Sequence, residues 1–158
     1  MDWLDQIEII GEVALAILLG GVIGFEREAA DKPAGFRTHM LVAGAAALLV
    51  GLSSALIESF GADSAPRFIR SDPIRLVQGI IIGISFIGGG TIIRHARTQH
   101  VEGLTTAASL LLTGGIGIAV ALRQFVIAVG TTLLAIVVLR VLVLLENYLK
   151  RRTQQRQS

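Results

Sequence analysis

Five apolar stretches, each close to the length that crosses a lipid bilayer, constrain the fold of this chain more than any other feature. They cover residues 7–25, 40–57, 74–93, 104–122 and 125–145. About 20 apolar residues in a helix span the hydrocarbon core, and a helix satisfies its own backbone hydrogen bonds where water is absent. The pattern therefore predicts an all-α integral membrane protein with about five transmembrane helices.

The composition fits lipid rather than water as the solvent of this chain. Charged residues make up 16% of the 158 residues, against about 25% in soluble domains, and the mean hydropathy is +0.70. The net charge of +2 gives no reason to expect a nucleic-acid partner, and the lack of cysteine excludes disulfides. The acidic start at Asp2, Asp5 and Glu8 is unlike a cleavable signal peptide, so we interpret the first stretch as a retained span.

Lysine and arginine residues set the predicted orientation, because cytoplasmic loops of membrane proteins carry an excess of them. With the N-terminus outside, nine of these residues lie on the cytoplasmic side, four lie outside, and Arg140 falls within the fifth span. We therefore predict an N-out, C-in topology. Residues 1–149 form a single transmembrane domain in this interpretation, and residues 150–158 form a basic cytoplasmic tail.

The predicted orientation gathers four polar or glycine-rich segments at the cytoplasmic face, at residues 26–28, 37–39, 88–94 and 103–109. We expect a ligand-binding or ion-paired cluster there, in which carboxylates coordinate or pair, arginines clamp, and hydroxyls cap the fourth helix or line a cavity. Its candidate residues are Glu26, Arg27, Glu28, Arg37, Thr38, Thr91, Arg94, Thr105, Thr106 and Ser109. The alternative is that these arginines only mark the cytoplasmic side and meet counter-charges at the level of the headgroups.

Three consecutive glycines, Gly88, Gly89 and Gly90, lie near the end of the third span. Each destabilises a helix by about 1 kcal/mol relative to alanine. Irregular backbone at membrane depth is tolerated only where it is buried in protein or lines a cavity. The run therefore predicts either a close helix crossing or a backbone break at a polar cavity.

Small residues recur at a spacing of four in several spans. Ala16, Gly20 and Gly24 form such a stripe in the first span, and Gly79 and Gly83 form one in the third. Stripes of this kind let helices approach closely enough for van der Waals packing. They predict either packing within the chain or contacts between subunits.

Other ionisable residues give weaker signals. Glu12 is either a functional carboxylate within the first span or an interfacial residue that faces a neighbouring helix. His39, His95 and His100 lack the spacing of a helical metal-binding pair, so we expect no metal site and no cofactor. No arrangement of nucleophile and base is visible in the sequence, which favours a protein that is not an enzyme.

Several motifs, taken together and in this order, resemble the N-terminal membrane domain of the MgtC/SapB family. They are GGVIGFERE at residues 20–28, AGFRTHMLV at 34–42, DPIR at 72–75, GISFIGGG at 83–90 and GLTTAAS at 103–109. The resemblance implies a multi-pass protein of the bacterial inner membrane, in a family with members linked to growth in low magnesium. It concerns the membrane domain, and nothing of the longer members' soluble C-terminal domain is carried over. Leu110 and Leu111 stand where many members have a tryptophan.

Two functional hypotheses follow from the residues and the resemblance together. The first is a non-enzymatic membrane protein, a homo-oligomer in the bilayer, that modulates magnesium-linked ion homeostasis or a partner membrane complex through the cytoplasmic cluster. The alternative is a small channel or transporter for a cation such as magnesium. Magnesium keeps several of its waters and needs only one or two carboxylates, which Glu26 and Glu28 can supply.

Overall fold

A computed structural model describes residues 2–61, 73–94 and 101–141. Its helices are α1 (Trp3–Ala29), α2 (Phe36–Gly61), α3 (Pro73–Gly90), α4 (Leu104–Ala121) and α5 (Phe125–Ile136), which a π-helical turn at Val137–Val141 extends. Each predicted span overlaps one of these helices, so the all-α membrane class is confirmed. The third span was predicted to reach residue 93, but α3 ends at Gly90, and residues 142–145 of the fifth lie outside the described residues. The predicted basic tail, residues 150–158, lies outside the described residues.

The five helices differ in length and therefore in how well they match a bilayer. Within the described residues, Trp3–Ala29, Phe36–Ser53 and Leu104–Ala121 are long and apolar enough to cross. Ile74–Gly90 and Phe125–Val141 are shorter apolar helices, and a crossing by a helix of this length requires local thinning of the bilayer. The number of crossings and the N-out orientation stay predictions.

A short antiparallel ladder lies between α3 and α4, and its first residue, Ile93, falls in the stretch that was predicted as the third span. Strand β1 (Ile93–Arg94) pairs with β2 (Val101–Glu102), with Ile93 opposite Glu102. Gly103 follows the ladder with φ +91°, and a Cβ at this position would collide with the carbonyl oxygen of Thr91. Two residues per strand are too few for a period of two to be read from a sequence.

Helices α1, α2 and α4 form the central unit of the fold, with α5 packed on α1 and α4 and with α3 packed mainly on α4. The residues buried between them are mostly small or β-branched, such as Ala16, Ala43, Ala47, Ile116 and Val120. Small side chains let helix backbones come close, and dispersion forces over the long contact then hold the helices together in lipid.

The glycine stripe of α1 explains how closely the first two helices cross. A Cβ at Gly20 would lie 2.6 Å from the carbonyl oxygen of His39, and one at Gly24 would lie 2.7 Å from the Cα of Phe36. Gly117 of α4 touches the backbone of Ala43 in the same way. In α1 the stripe therefore packs within the chain, which is one of the two interpretations of its spacing.

Helix α3 leans away from α2 and leaves an apolar groove of about 740 Å³ between them, the α2–α3 groove. Gly79 and Gly83 line it, and a Cβ at either would meet no atom within 4 Å. The second predicted stripe therefore has no helix packed against it in the described part of the chain.

Candidate functional site

Six buried polar side chains lie along one half of the central unit, from the end of α1 and the start of α2 to the middle of α4. They are Glu26, Arg27, His39, Thr106, Ser109 and Thr113, and we call them the polar cluster. Only one other buried polar residue, Thr132, occurs among the described residues. Polar side chains inside a membrane protein are costly and are commonly functional, so their concentration in one half marks the candidate site.

Glu26 and Arg27 form a buried ion pair at the end of α1. The Nε atom of Arg27 donates a hydrogen bond to Oε2 of Glu26 over 2.6 Å, and the two residues are 6% and 3% exposed. Charge-assisted bonds of this length are among the strongest in proteins. The pair brings two opposite charges into the bundle together, and removing one partner alone costs about 3–5 kcal/mol because the other charge stays buried.

His39 links the start of α2 to α4 and is fully buried. Its Nδ1 atom lies 2.9 Å from the carbonyl oxygen of Gly35, and its Nε2 atom lies 3.0 Å from Oγ of Ser109. A carbonyl oxygen only accepts hydrogen bonds, so Nδ1 carries a proton. The imidazole is thereby held at both nitrogens, one within α2 and one across the helix contact.

The hydroxyl of Ser109 has two acceptors within reach, and the protonation of His39 decides between them. Oγ of Ser109 also lies 2.9 Å from the carbonyl oxygen of Thr106. With a neutral His39, the hydroxyl donates to Nε2. With a protonated His39, Nε2 donates to Oγ, and the hydroxyl turns to Thr106. The polar cluster therefore has two complete hydrogen-bond arrangements that differ by one proton.

The remaining hydroxyls are satisfied by the helices that carry them. Oγ1 of Thr113 donates to the carbonyl oxygen of Ser109 over 2.8 Å, and Oγ1 of Thr132 donates in the same way to Ala128. Such bonds back to the preceding turn are the usual partners of buried threonines in helices. Across residues 2–53, 74–92 and 101–141, no buried side-chain nitrogen or oxygen lacks a partner.

Four of the predicted cluster residues, Glu26, Arg27, Thr106 and Ser109, are each buried; Glu26 bonds Arg27, and Ser109 bonds the carbonyl oxygen of Thr106. Glu28 is exposed, and its Oε2 accepts the backbone N–H of Phe36 over 2.9 Å, which fixes the connection between α1 and α2. Burial therefore separates Glu26 from Glu28, two carboxylates that the sequence analysis treated as one group.

The other predicted residues lie outside the polar cluster. Arg37 is exposed and Thr38 is half-buried, and both line the α2–α3 groove. Thr105 is exposed, and Oγ1 of Thr91 donates to the carbonyl oxygen of Gly88 over 2.7 Å. The side chain of Arg94 lies outside the described residues.

The three glycines of the third span belong to helix rather than to a break within it. Helix α3 continues through Gly88–Gly90 and ends there, so the expected unwinding falls after the glycines. Gly88 is buried beside Ala107 of α4, where a Cβ would sit at 3.4 Å, whereas a Cβ at Gly89 or Gly90 would meet nothing within 4 Å. Among the three, the close helix contact belongs to Gly88.

His39 and Thr113 are members of the polar cluster that the sequence analysis did not assign to it. His39 was considered only as a metal ligand. A signal for its burial exists, because it shares the helical spacing of Val42, Ala43 and Ala46, all of which are buried. A polar residue in phase with an apolar face is a candidate for a buried hydrogen-bond partner on another helix.

This geometry gives little support for a catalytic or a metal-binding role. The contact between Ser109 and His39 has the length of a nucleophile–base pair, but both are buried and neither lines the α2–α3 groove. In the described ranges, no three histidine, aspartate or glutamate side chains come together as a metal-binding group.

Charged residues also meet at the opposite end of the central unit, in the turn between α4 and α5. Arg123 contacts Glu8 (Nη2 to Oε1, 2.5 Å) and Glu12 (Nε to Oε1, 3.2 Å). Hydrogen bonding to the Glu8 carboxylate raises the pKa of Arg123 above its ordinary value, so its charge is permanent. Glu12 thus faces a neighbouring element as an interfacial residue, which is one of the two interpretations of its position.

Together these features define a helical membrane protein with a polar cluster sealed into one half of its bundle. The MgtC family profile matches residues 13–148, and the chain belongs to that family. It is 38% identical to protein MgtC of Salmonella typhimurium, over 89% of this chain and 52% of that protein. It is 32% identical to the putative magnesium transporter YhiD of Escherichia coli, over 85% of this chain and 60% of that protein.

A further relative extends over nearly the whole chain. An uncharacterized protein of Haemophilus influenzae is 36% identical over 98% of this chain and 63% of its own length. The chain thus spans between half and two thirds of the length of these relatives. No solved structure matches it.

Proposed function

We propose that this chain is a non-enzymatic protein of the bacterial inner membrane that modulates magnesium-linked ion homeostasis or the activity of a partner membrane complex. In this proposal the polar cluster determines which functional state the protein adopts. The protein acts as a homo-oligomer. One observation carries the proposal: the Glu26–Arg27 pair and the His39–Ser109 contact are sealed in one end of the bundle with every polar atom paired. Such a network is costly to bury, and when fully paired it rigidifies the core and specifies one arrangement of the helices.

The pairing of Glu26 favours modulation over transport. A magnesium ion binds through one or two carboxylates and keeps several waters, whereas Glu26 is already bonded to Arg27. The centre of the bundle is closed by backbone contacts, Gly20 with His39 and Gly117 with Ala43. A hydrated ion needs an opening there that this packing does not provide.

The alternative is a small channel or transporter for a cation such as magnesium. The name of the Escherichia coli relative favours it, as does the presence of a buried carboxylate, Glu26, at one end of the bundle. In this alternative the ion is the substrate, and Arg27 releases Glu26 when the ion arrives.

Two measurements on one set of variants separate the two functions. The first is magnesium flux into liposomes that hold the purified chain and a magnesium-sensitive dye. The second is growth at limiting magnesium of a bacterial strain from which the chain's gene has been deleted, carrying each variant on a plasmid. The test variant is Glu26→Gln/Arg27→Gln, which removes both charges so that neither is left buried alone.

A matched control is available five residues further along the chain, in the exposed connection after α1. Asp31→Asn/Lys32→Gln also removes one acid and one base, both exposed, and asparagine tolerates the positive φ of Asp31. We expect no flux above protein-free liposomes, and we expect the test variant, but not the control, to lose its effect on growth while keeping its thermal unfolding temperature. Flux by the unmodified chain that the test variant abolishes would favour the transporter instead.

A further inference from the structure

The α2–α3 groove has the depth of one bilayer leaflet. Its lining runs along α2 from Arg37 to Leu49 and along α3 from Arg75 to Ile87. Thirteen residues of helix on each side correspond to a length of about 18 Å between the first and last Cα atoms at 1.5 Å per residue. One leaflet of the hydrocarbon core is about 15 Å thick. An acyl chain lying in the groove therefore fits along its whole length.

The lining of the groove is apolar. Its floor includes Val42, Ala46, Ile80 and Ile84, which are buried in a core cluster with Leu110, whereas Leu41, Leu49 and Ile87 are exposed along it. An acyl chain is thinner and more flexible than an α-helix of about 10 Å diameter, so it follows the floor of the groove more closely than a helix of a second copy does.

One end of the groove carries groups that recognise a phosphate. The guanidinium of Arg37 and the hydroxyl of Thr38 both line it there. Arg37 is exposed and has no ion-pair partner in the described part of the chain, unlike Arg27. Arginine binds phosphate oxygens through two parallel hydrogen bonds, and basic pockets between transmembrane helices hold anionic headgroups.

We propose that the α2–α3 groove binds one anionic phospholipid, with its acyl chains along Gly79 and Gly83 and its phosphate at Arg37 and Thr38. The lipid fills the space that α3 leaves beside α2 and connects the two helices. This site is separate from the polar cluster, and it exists whether the chain modulates a partner or moves an ion.

The test uses native mass spectrometry of the purified chain with phosphatidylglycerol or phosphatidylcholine of identical acyl chains. Gly83→Leu fills the groove. Gly115→Leu is the matched control, because a Cβ at Gly115 also meets nothing within 4 Å but lies outside the groove. Arg37→Gln removes the phosphate-binding charge, and Arg75→Gln removes the charge at the other end.

We expect one phosphatidylglycerol per chain, held about tenfold more tightly than phosphatidylcholine, because both lipids carry the phosphate but the choline cation of phosphatidylcholine repels Arg37. Gly83→Leu lowers the amount of bound lipid about tenfold, Gly115→Leu leaves it unchanged, and Arg37→Gln makes the two lipids bind equally. Equal binding by the two leucine variants overturns the proposal. So does a lipid preference that follows Arg75 instead of Arg37, or a dimer that Gly83→Leu dissociates without any change in bound lipid.

A second measurement applies if Gly83→Leu does not fold. Trp3 is the chain's only tryptophan, so Trp3→Phe/Leu49→Trp places a single fluorophore in the groove. The protein is placed in phosphatidylcholine bilayers that contain a few per cent of phosphatidylglycerol with brominated acyl chains. We expect the bromine atoms to quench the tryptophan fluorescence more than the fraction of phosphatidylglycerol in the bilayer predicts. Quenching that matches the bulk composition, or that Arg37→Gln leaves unchanged, excludes the site.

Discussion

Ser109→Ala tests whether the contact between α2 and α4 is held by the His39 imidazole. The substitution removes the oxygen that lies 3.0 Å from Nε2 of His39 and keeps the backbone of α4 intact. His39 is fully buried, so bulk water does not replace the lost partner. The ring nitrogen is then left unsatisfied in an apolar interior, and the other acceptor of the hydroxyl, the Thr106 carbonyl, keeps its helical hydrogen bond.

The expected loss of stability follows from the ring nitrogen of His39 that is left without a hydrogen-bond partner. A buried group that loses its partner costs about 1–3 kcal/mol. Thr113→Val is the control one turn further along α4, because it also deletes a buried hydroxyl from the same helix. Its hydroxyl bonds the Ser109 carbonyl within α4, and valine keeps the shape, so its cost is at most about 1 kcal/mol. Ser109→Ala is therefore expected to be the more destabilising of the two by about 1–2 kcal/mol.

Reversible unfolding in mixed micelles, followed by circular dichroism, measures both free energies of unfolding. A double-mutant cycle with His39→Leu isolates the contact: the double variant His39→Leu/Ser109→Ala is expected to lose less stability than the sum of the single variants, by at least about 0.5 kcal/mol. Additive losses, or a Ser109→Ala variant as stable as Thr113→Val, would refute the bond across the two helices.

Three further predictions concern other parts of the bundle and use the same unfolding measurement. Gly20→Ala is expected to be less stable than Gly115→Ala by about 1–3 kcal/mol, since the new methyl group collides with α2 in the first variant and meets open space in the second. Gly103→Ala combines a positive φ with a collision and should cost at least about 1 kcal/mol; an unchanged stability would show that the ladder moves freely. Arg123→Gln should change stability by less than about 1 kcal/mol, with an effect that fades at high salt, because Arg123 and Glu8 are exposed.

The sequence was sufficient for the helices and for the end of the bundle where the polar residues meet. Apolar length alone predicts a helix in lipid, and the order of the polar segments along the chain then places them at a common face. The sequence was not sufficient to show that Arg27 is buried whereas Arg37 is exposed. Both follow an apolar–polar boundary, but the rotation of each helix buries one against Glu26 and leaves the other at the groove.

Contacts between distant segments could not be predicted from the sequence for a related reason. His39 and Ser109 are 70 residues apart, and their meeting depends on the relative register of α2 and α4, which no local pattern encodes. The glycine stripes show the same limit. Gly20 and Gly79 have equivalent spacing, yet α2 packs against the first and no helix of the described chain packs against the second.

The non-consecutive order of the central helices has a consequence for how the protein is made. Helices α1 and α2 are synthesised first, and the partner that completes the hydrogen bonding of His39 follows 70 residues later, which takes roughly 4 to 14 seconds at 5–20 residues per second. During that interval the hairpin carries an incompletely paired imidazole at its edge. A polar group in that position interacts favourably with an incoming helix that offers a hydroxyl, and in α4 that hydroxyl is Ser109. We therefore expect the residue that bonds His39 in the finished bundle also to favour the docking of α4 beside α2 during assembly.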